Sequence, residues 1–266
     1  ILIKLIPAPA PTIAAYRLTL ATLLLAPFAW QRRAELRGFS KSDLALSLLG
    51  GLFLALHFLA WISSLKYTSV ASSVVLVTTN PIFVGLGTRF ILREPLGRLL
   101  IWGIIISVIG GVLIGYNDLR FGREELLGDL LALAGALFAS AYFLVGRHVR
   151  QRVGLFNYIF VLYGLAAVVL LIVALAAHQP LLGFSKWTYL FLFLLALGPQ
   201  ILGHSSLNWS LKHVSAATVA VAVLGEPVGS TVLAYFILNE GLTSLKVLGG
   251  LLILGGIYLA LRAEAK

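Results

Sequence analysis

Glu226 is the first candidate for chemistry in this sequence, because ionisable side chains are rare in it. The chain has 266 residues, of which 60% are hydrophobic and 11% are charged, and it contains no cysteine. Glu226 lies near the middle of an apolar stretch, directly before Pro227. A carboxyl group in such surroundings is costly and faces protein or water, while a proline inside a helix frees a backbone carbonyl. Two interpretations stay open: a polar hinge that contacts a ligand, or a structural kink with a hydrogen-bonded or protonated carboxyl group.

Two further prolines lie beside polar residues inside apolar stretches. Asn80 directly precedes Pro81, and Pro199 stands in a Gly-Pro-Gln sequence. The same two interpretations apply to Asn80 as to the carboxyl group before Pro227. Pro199 is predicted to break its helix near the middle, as in other discontinuous membrane helices. All three prolines, Pro81, Pro199 and Pro227, are therefore predicted hinges.

Two of the apolar stretches each carry a histidine with a tryptophan nearby. His57 and Trp61 are four residues apart and share one helix face, and His204, Asn208 and Trp209 lie at a similar level of the other stretch. Such a lining suits a zwitterion with an apolar or aromatic side chain, through stacking and through cation–π contact with its ammonium group. The alternative is that the histidines are satisfied core residues and the tryptophans belong to interfacial belts.

The remaining polar candidates inside apolar stretches are Arg17 and three tyrosines, Tyr142, Tyr163 and Tyr235, which are weaker candidates than the His/Trp pairs. Arg17 has three possible roles: pairing with a substrate carboxylate, pairing with Glu226 as a coupling or structural charge, or snorkelling to the membrane interface. The complete set of predicted substrate-binding residues is His57, Trp61, Asn80, Tyr142, His204, Asn208, Trp209 and Glu226.

Motifs for catalysis are missing from the sequence. It has no H-E-x-x-H motif, no P-loop lysine and no cysteine ligand set. The sequence Gly203-His204-Ser205-Ser206 lacks the G-x-S-x-G frame of a serine hydrolase. We therefore predict no enzyme activity, no catalytic residue, no metal site and no cofactor.

Apolar stretches long enough to cross a membrane, which takes about 20 residues, account for most of the chain. They are approximately Thr12–Trp30, Leu44–Leu65, Ser69–Leu92, Leu99–Tyr116, Gly128–Gly146, Leu155–Ala177, Trp187–Leu211, Ser215–Leu238 and Leu245–Leu261. Soluble domains carry about 25% charged residues, far more than this chain. The sequence therefore predicts an all-α polytopic membrane protein in contact with the lipid bilayer.

The sequence repeats itself at an offset of 146 residues. Between Leu65–Ile114 and Leu211–Ala260, 16 of 50 positions are identical without a gap. The matches that do not follow from apolar composition carry the argument. They pair Pro81 with Pro227, Glu94 with Glu240, Gly103 with Gly249 and Gly110 with Gly256.

This repeat predicts ten helices, five in residues 1–120 and five in residues 121–266. The stretch Gly128–Gly146 then needs a partner before the first residue, so we expect the first helix to be largely missing from this chain, with Ile1–Ile6 as its end. An odd number of helices in each repeat gives the two repeats opposite orientations, which is the inverted architecture of secondary transporters.

The net charge of +10 has a clear distribution over the predicted loops. One side receives twelve basic residues and the other receives six. The richer side has Arg32, Arg33, Arg37, Lys41, Arg93, Arg98, Arg147, Arg150, Arg152, Lys212, Arg262 and Lys266; the poorer side has Lys4, Lys66, Arg120, Arg123, Lys186 and Lys246. Basic loops remain in the cytoplasm, so both termini are predicted to be cytoplasmic, in a bacterial inner membrane. Nucleic-acid binding needs a basic soluble face and is not predicted.

Motifs in both repeats resemble those of a known family. The segments Tyr67–Pro81 and Leu92-Arg-Glu-Pro95 resemble the first half of an EamA-type transporter, and Ala216–Pro227 with Leu238-Asn-Glu240 resembles the second half. The family belongs to the drug/metabolite transporter superfamily, and within it the chain is most similar to YddG-type amino-acid exporters. The resemblance implies a ten-helix exporter of small metabolites, often amino acids, that works by alternating access.

Three alternatives to amino-acid export remain open at this stage. The first is transport of another metabolite class or of drug-like cations, the second is an intramembrane enzyme, and the third is a passive channel. The expected partners are a small-molecule substrate and lipid, and the expected state is a monomer or a homodimer.

Overall fold

Helices form almost all of the chain in the computed structural model, which describes residues 2–116, 123–238 and 241–265. Within these ranges there is no β-strand, and the predicted all-α fold is confirmed. After a short 3-10 helix at Leu2–Leu5, the helices are α1 (Ala10–Gln31), α2 (Arg33–Arg37), α3 (Lys41–Ser64), α4 (Val70–Val77), α5 (Asn80–Phe90), α6 (Arg98–Gly115), α7 (Arg123–Arg150), α8 (Leu155–Ala176), α9 (Lys186–Leu195), a π-helix (Ala196–His204), α10 (Ser205–Ser210), α11 (Ala216–Val223), α12 (Gly225–Leu238) and α13 (Ser244–Glu264). Arg120, Glu240 and Lys266, which entered the sequence argument, lie outside the described residues.

Eight helical stretches of the described chain are long and apolar enough to cross a membrane, if Lys186–Ser210 (α9 to α10) and Ala216–Leu233 (α11 and part of α12) each count as one. The predicted span Ser69–Leu92 is not among them, because the chain there forms two short helices, α4 and α5, separated at Thr78 and Thr79. Pro81 has no N–H and hinders the turn before it. The hydroxyl groups of Thr78 and Thr79 donate to carbonyls of α4, at 2.7 Å to Val74 O and 2.6 Å to Leu76 O. These hydrogen bonds give donor partners to carbonyl groups in the last turn of α4, which have no N–H partner within the helix itself.

The second repeat has an interruption at the matching place. α11 ends at Val223 and α12 begins at Gly225, two residues before Pro227. The first turn of each half-helix pair is also capped alike, since the hydroxyl groups of Ser69 and Ser215 accept from the backbone N–H three residues later. Prolines at equivalent positions of the two repeats therefore accompany two interrupted helices.

Pro199 does not break its helix as the sequence predicted. The chain stays helical through it as a π-helix of nine residues, Ala196–His204, between α9 and α10. In an α-helix the Leu195 carbonyl would bond to the missing N–H of Pro199. The i→i+5 pattern of a π-helix instead offers that carbonyl the N–H of Gln200. A wider helical turn thus replaces the expected gap.

The chain forms two compact units, each assembled from two separate segments. The first unit comprises Ile1–Ile62 and Ala141–His213, and the second comprises Ser63–Ser140 and Val214–Lys266. The first unit takes one segment from each predicted repeat, and in the second unit Ser63–Ser140 runs from the first repeat into the start of the second. Each unit thus contains helices that are related by the 146-residue offset.

In the second unit, α6 packs against its repeat mate α13. A Cβ atom at Gly110 would lie 2.5 Å from the carbonyl oxygen of Gly249, and one at Gly103 would lie 2.8 Å from that of Gly256. The residue number rises along one helix as it falls along the other, so the helices are antiparallel. Ser107 Oγ lies 3.5 Å from the carbonyl oxygen of its own mate, 146 residues later. Small residues allow this close approach of the two backbones.

In the first unit, α1 packs against its repeat mate α8 in the same sense. The rings of Phe28 and Phe156 stack with centroids 5.8 Å apart, and Thr22 is the nearest contact for a Cβ atom at Gly164. Antiparallel contact between repeat mates is the geometry of inverted repeats. The predicted fold class, a membrane protein of two inverted helical repeats, agrees with this packing.

Candidate functional site

A buried arginine is the centre of the polar side chains in the first unit. Arg17 is 3% exposed and extends from α1, whose start is held by hydrogen bonds from Thr12 and Tyr16 to the carbonyls of Pro180 and Leu181. Its guanidinium group therefore lies inside the unit, where an unpaired charge is costly and needs polar or aromatic neighbours.

Two neighbours of this guanidinium come from different repeats. The Arg17 Nε atom donates to Oε1 of Gln200 at 2.7 Å. The guanidinium carbon also lies 4.2 Å from the ring centroid of Phe58 on α3, which is a cation–π distance. One charge is thus held by an amide of the second repeat and an aromatic face of the first.

The π-helix and α10 place three polar side chains at intervals of four residues. Gln200 and Asn208 are fully buried, and the His204 ring lies between them along the helix, edge-on to Phe58 at 5.3 Å between ring centroids. The Tyr142 ring is 6.3 Å from that of His204. The sequence predicted three of these residues as binding candidates, and the structure brings them together.

Hydroxyl and amide groups form a network behind this row. Asn208 Nδ2 donates to the Tyr142 hydroxyl at 2.5 Å and to the carbonyl of His204 at 2.8 Å, and it lies 3.5 Å from the Tyr163 hydroxyl. The Tyr163 hydroxyl is 3.2 Å from Ser205 Oγ. Buried hydrogen bonds of this kind fix the side chains that make them.

Aromatic rings of α3 complete the cluster. His57 and Trp61 share a helix face, as the sequence predicted, and their rings stack with centroids 5.9 Å apart and planes 9° apart. Phe58 lies within 4.9 Å of His57 and 6.5 Å of Trp61, measured between ring centroids. We call these residues, together with Arg17, Gln200, Tyr142, Tyr163, His204 and Asn208, the polar–aromatic cluster.

Three polar atoms of the polar–aromatic cluster have no hydrogen-bond partner among the described residues. They are Gln200 Nε2, His204 Nδ1 and Asn208 Oδ1, and all three are buried. A buried polar atom without a partner costs about 1–3 kcal/mol. Buried polar atoms of this kind take their hydrogen bonds from water or from a ligand, so the three mark polar positions that a ligand could contact.

Trp209 lies apart from this row. It is 54% exposed, and its ring contacts His213 with centroids 4.5 Å apart. Trp209 follows Asn208 by one residue, and adjacent residues of a helix do not share a face. Its role in substrate binding remains a prediction.

The other predicted residues lie in the second unit. Asn80 is buried, its backbone carbonyl accepts from Ser140 Oγ at 3.2 Å, and its Oδ1 atom has no hydrogen-bond partner among the described residues. Glu226 lies exposed in the first turn of α12, and its backbone carbonyl accepts from Ser230 Oγ at 2.8 Å. Pro81 and Pro227 are buried beside them. No group of three or more His, Asp or Glu side chains in the described chain is placed to hold a metal ion.

Comparison with known proteins identifies the family. The model of the EamA-like transporter family matches residues 1–116 and again residues 126–262. This chain belongs to the EamA-like transporter family. An EamA-like transporter is a membrane transporter built from two helical repeats, which accounts for both the apolar helices and the 146-residue offset.

Several relatives of this EamA-like transporter are uncharacterized transporters. An uncharacterized transporter of Clostridium kluyveri is 29% identical over 201 residues, which cover 73% of this chain and 64% of that protein. The uncharacterized transporter YdfC of Bacillus subtilis is 25% identical over 92% of this chain and 79% of its own length. The pseudopaline exporter CntI of Pseudomonas aeruginosa strain UCBPP-PA14 is 23% identical over 92% of this chain and 84% of its own length.

A protein of known crystal structure has the same fold. The two structures superpose with a TM-score of 0.81 over 97% of this chain and 89% of the other, at 20% sequence identity. The similarity therefore supports the arrangement of the helices in this EamA-like transporter.

The sequence analysis of this EamA-like transporter missed Phe58 and Gln200 and gave Tyr163 only as a weaker candidate. The 146-residue offset contained a signal for two of them, since it relates Phe58 to His204 and Tyr163 to Arg17. Aligning the repeat mates of each polar candidate would have found both. For Gln200 the only sequence signal was its position directly after Pro199.

Proposed function

We propose that this EamA-like transporter exports small organic metabolites, with amino acids, including aromatic ones, as its main substrates. The observation that supports this proposal is the polar–aromatic cluster. Both repeats contribute to it, Arg17 and His57 from the first and Gln200 and His204 from the second. A site shared by inverted repeats is where secondary transporters bind their substrates.

The side chains of the cluster match the parts of an amino acid. The faces of Trp61 and Phe58 suit an apolar or aromatic side chain and cation–π contact with an ammonium group. The partnerless atoms of His204 and Asn208 suit hydrogen bonds to the polar end of the molecule. We therefore propose that this transporter has the same class of substrates as the YddG-type amino-acid exporters.

Export is the proposed direction. It agrees with the name of the Pseudomonas relative, an exporter, and with the family resemblance. The distribution of basic residues supports a bacterial inner membrane with both termini in the cytoplasm. In this orientation the substrate would be a metabolite that accumulates inside the cell.

Alternating access is the proposed mechanism, through a cavity between the two repeats. The interruptions between α4 and α5 and between α11 and α12 are candidate hinges, since few hydrogen bonds must change for such ends to bend. Glu226, which stands at one of these interruptions, is a candidate for proton coupling. Facilitated exchange would need no such group.

A drug-like organic cation is the alternative substrate class. The aromatic faces would accept a cation, but the buried Arg17 guanidinium would repel it. An intramembrane hydrolase finds less support, because Ser205 Oγ is bonded to the Tyr163 hydroxyl rather than to His204.

Counterflow in proteoliposomes tests the proposal. Vesicles loaded with unlabelled substrate would be given labelled phenylalanine, leucine, a nucleotide sugar or an amphipathic cation. We expect accumulation of the label with the amino acids and weaker or no accumulation with the others. Absence of counterflow with every amino acid would refute amino-acid transport, while accumulation of the cation would favour the alternative.

A further inference from the structure

The hydrogen bond between Arg17 and Gln200 fixes which way the Gln200 amide faces. Arg17 Nε is a donor without an acceptor lone pair, so the atom of Gln200 at 2.7 Å from it is the carbonyl oxygen. The reverse orientation would place the NH2 group against the guanidinium group, donor against donor. The NH2 group of Gln200 therefore faces away from the Nε atom.

That NH2 group is buried and carries two N–H donors. Gln200 is fully buried, and the Tyr163 hydroxyl, which interacts with its amide, can accept from one of the two donors. The other donor has no hydrogen-bond acceptor among the described residues. A buried donor next to a buried cation attracts an anionic acceptor.

We propose that the Arg17 guanidinium group and the Gln200 amide nitrogen form a carboxylate-binding subsite, with Gln200 acting both as a ligand contact and as the residue that orients Arg17. Guanidinium groups bind carboxylates through parallel N–H···O bonds. The amide nitrogen adds a neutral donor that contacts the same anion and does not repel a nearby ammonium group. A carboxylate held here has the Phe58 ring beside it, where Phe58 contacts the guanidinium group at 4.2 Å.

The π-helix gives Gln200 its place in this subsite. Gln200 is the fifth residue of Ala196–His204, directly after Pro199. A π-helix and an α-helix turn by different angles per residue, so an α-helical path over the same residues would direct Gln200 to another side. π-helical segments occur frequently at functional sites, and here the segment directs the Gln200 amide to Arg17.

This inference rests on the proposed transport of amino acids for its natural ligand, but it can be tested with simpler molecules. The probes are two pairs that differ only in a carboxylate and its amide: L-phenylalanine with L-phenylalaninamide, and 3-phenylpropanoate with 3-phenylpropanamide. Binding to the purified full chain in detergent is measured from ligand-dependent thermal stabilisation. The quantity compared is the ratio of the affinities for the acid and for the amide.

Gln200→Glu is the central variant, because it keeps the size of the side chain and an acceptor for Arg17 while replacing the NH2 donor by an anionic oxygen. Gln200→Leu removes both groups. We expect each variant to lower the preference for the acid by about tenfold or more, the size expected for losing a hydrogen bond to a charged group. Leu202→Ala, on the exposed side of the same π-helix, is the matched control and should keep the wild-type preference.

Two results would overturn the subsite: wild-type protein that does not prefer the acid, or Gln200→Glu that keeps the wild-type preference. The second pair of probes separates this outcome from failure of the proposed function. If 3-phenylpropanoate binding depends on Gln200 while no amino acid shows counterflow, the carboxylate subsite is supported and amino-acid export is refuted. A variant that does not fold is replaced in the comparison by the other one.

Discussion

The contact between α6 and α13 leads to a quantitative prediction for Gly256→Ala. A Cβ atom at Gly256 would overlap the Ser107 hydroxyl group, which can rotate away, and would lie 2.6 Å from the backbone carbonyl oxygen of Gly103, which cannot. Carbon and oxygen atoms in contact are ordinarily at least about 3.3 Å apart, so the two helices must separate by roughly 0.7 Å. Gly255, the preceding residue of the same helix, has no atom within 4 Å of its would-be Cβ atom. Gly255→Ala is therefore a control with the same chemical change and no collision.

The difference in stability between these two variants follows from the collision alone. Both exchange glycine for alanine inside a helix, which favours folding by about 0.5–1 kcal/mol. Only Gly256→Ala adds an overpacking cost of about 1–3 kcal/mol. For a protein of this size, 1 kcal/mol changes the melting temperature by about 2–4 °C, so Gly256→Ala should melt roughly 2–12 °C below Gly255→Ala.

Thermal unfolding of the purified variants in detergent measures this difference. The double variant Gly103→Ala/Gly256→Ala adds a second test, because both new methyl groups act at one crossing point. Separating the helices once relieves both collisions, so the double variant should lose less stability than the sum of the single losses. Equal melting temperatures for Gly255→Ala and Gly256→Ala, or full additivity in the double variant, would refute the close packing of the repeat mates.

Two further predictions concern transport in proteoliposomes. Asn208→Leu should raise KM at least tenfold, because it removes the 2.5 Å bond to Tyr142 and a partnerless acceptor. It should also lower the melting temperature, since the buried Tyr142 hydroxyl loses a hydrogen bond, so KM is compared for the folded fraction. Trp209→Ala, which changes a half-exposed neighbour, measures whether that ring also contacts substrate, and an equal KM in Asn208→Leu and wild type would remove Asn208 from the site. Glu226→Gln should abolish the dependence of uptake on pH if this carboxyl group, which lies beside Pro227, couples transport to protons. The pH profile is measured with and without an imposed pH gradient. An unchanged profile would refute proton coupling through Glu226 and support facilitated exchange.

The amino-acid sequence alone determined the class of the fold. The low share of charged residues requires lipid contact, and the lengths of the apolar stretches require helices that cross the bilayer. The 146-residue offset also named the helices that would be repeat mates, and Pro81 and Pro227 marked two interruptions. These properties depend on composition and on local backbone chemistry, which a sequence displays directly.

Which polar residues meet depends on how distant segments pack in the folded protein. Arg17 and Gln200 are 183 residues apart in the chain, and no local pattern relates them. Pro199 showed the same limit, since a missing N–H can end a helix or widen it into a π-helix, and the local sequence does not distinguish between the two. Adjacent residues also diverged, with Asn208 buried and Trp209 exposed, because the helix turns by a fixed angle per residue and its neighbours cover only some of its faces. Side-chain contacts of this kind form when distant segments pack together, so they are encoded in the whole chain and become visible only in the folded protein.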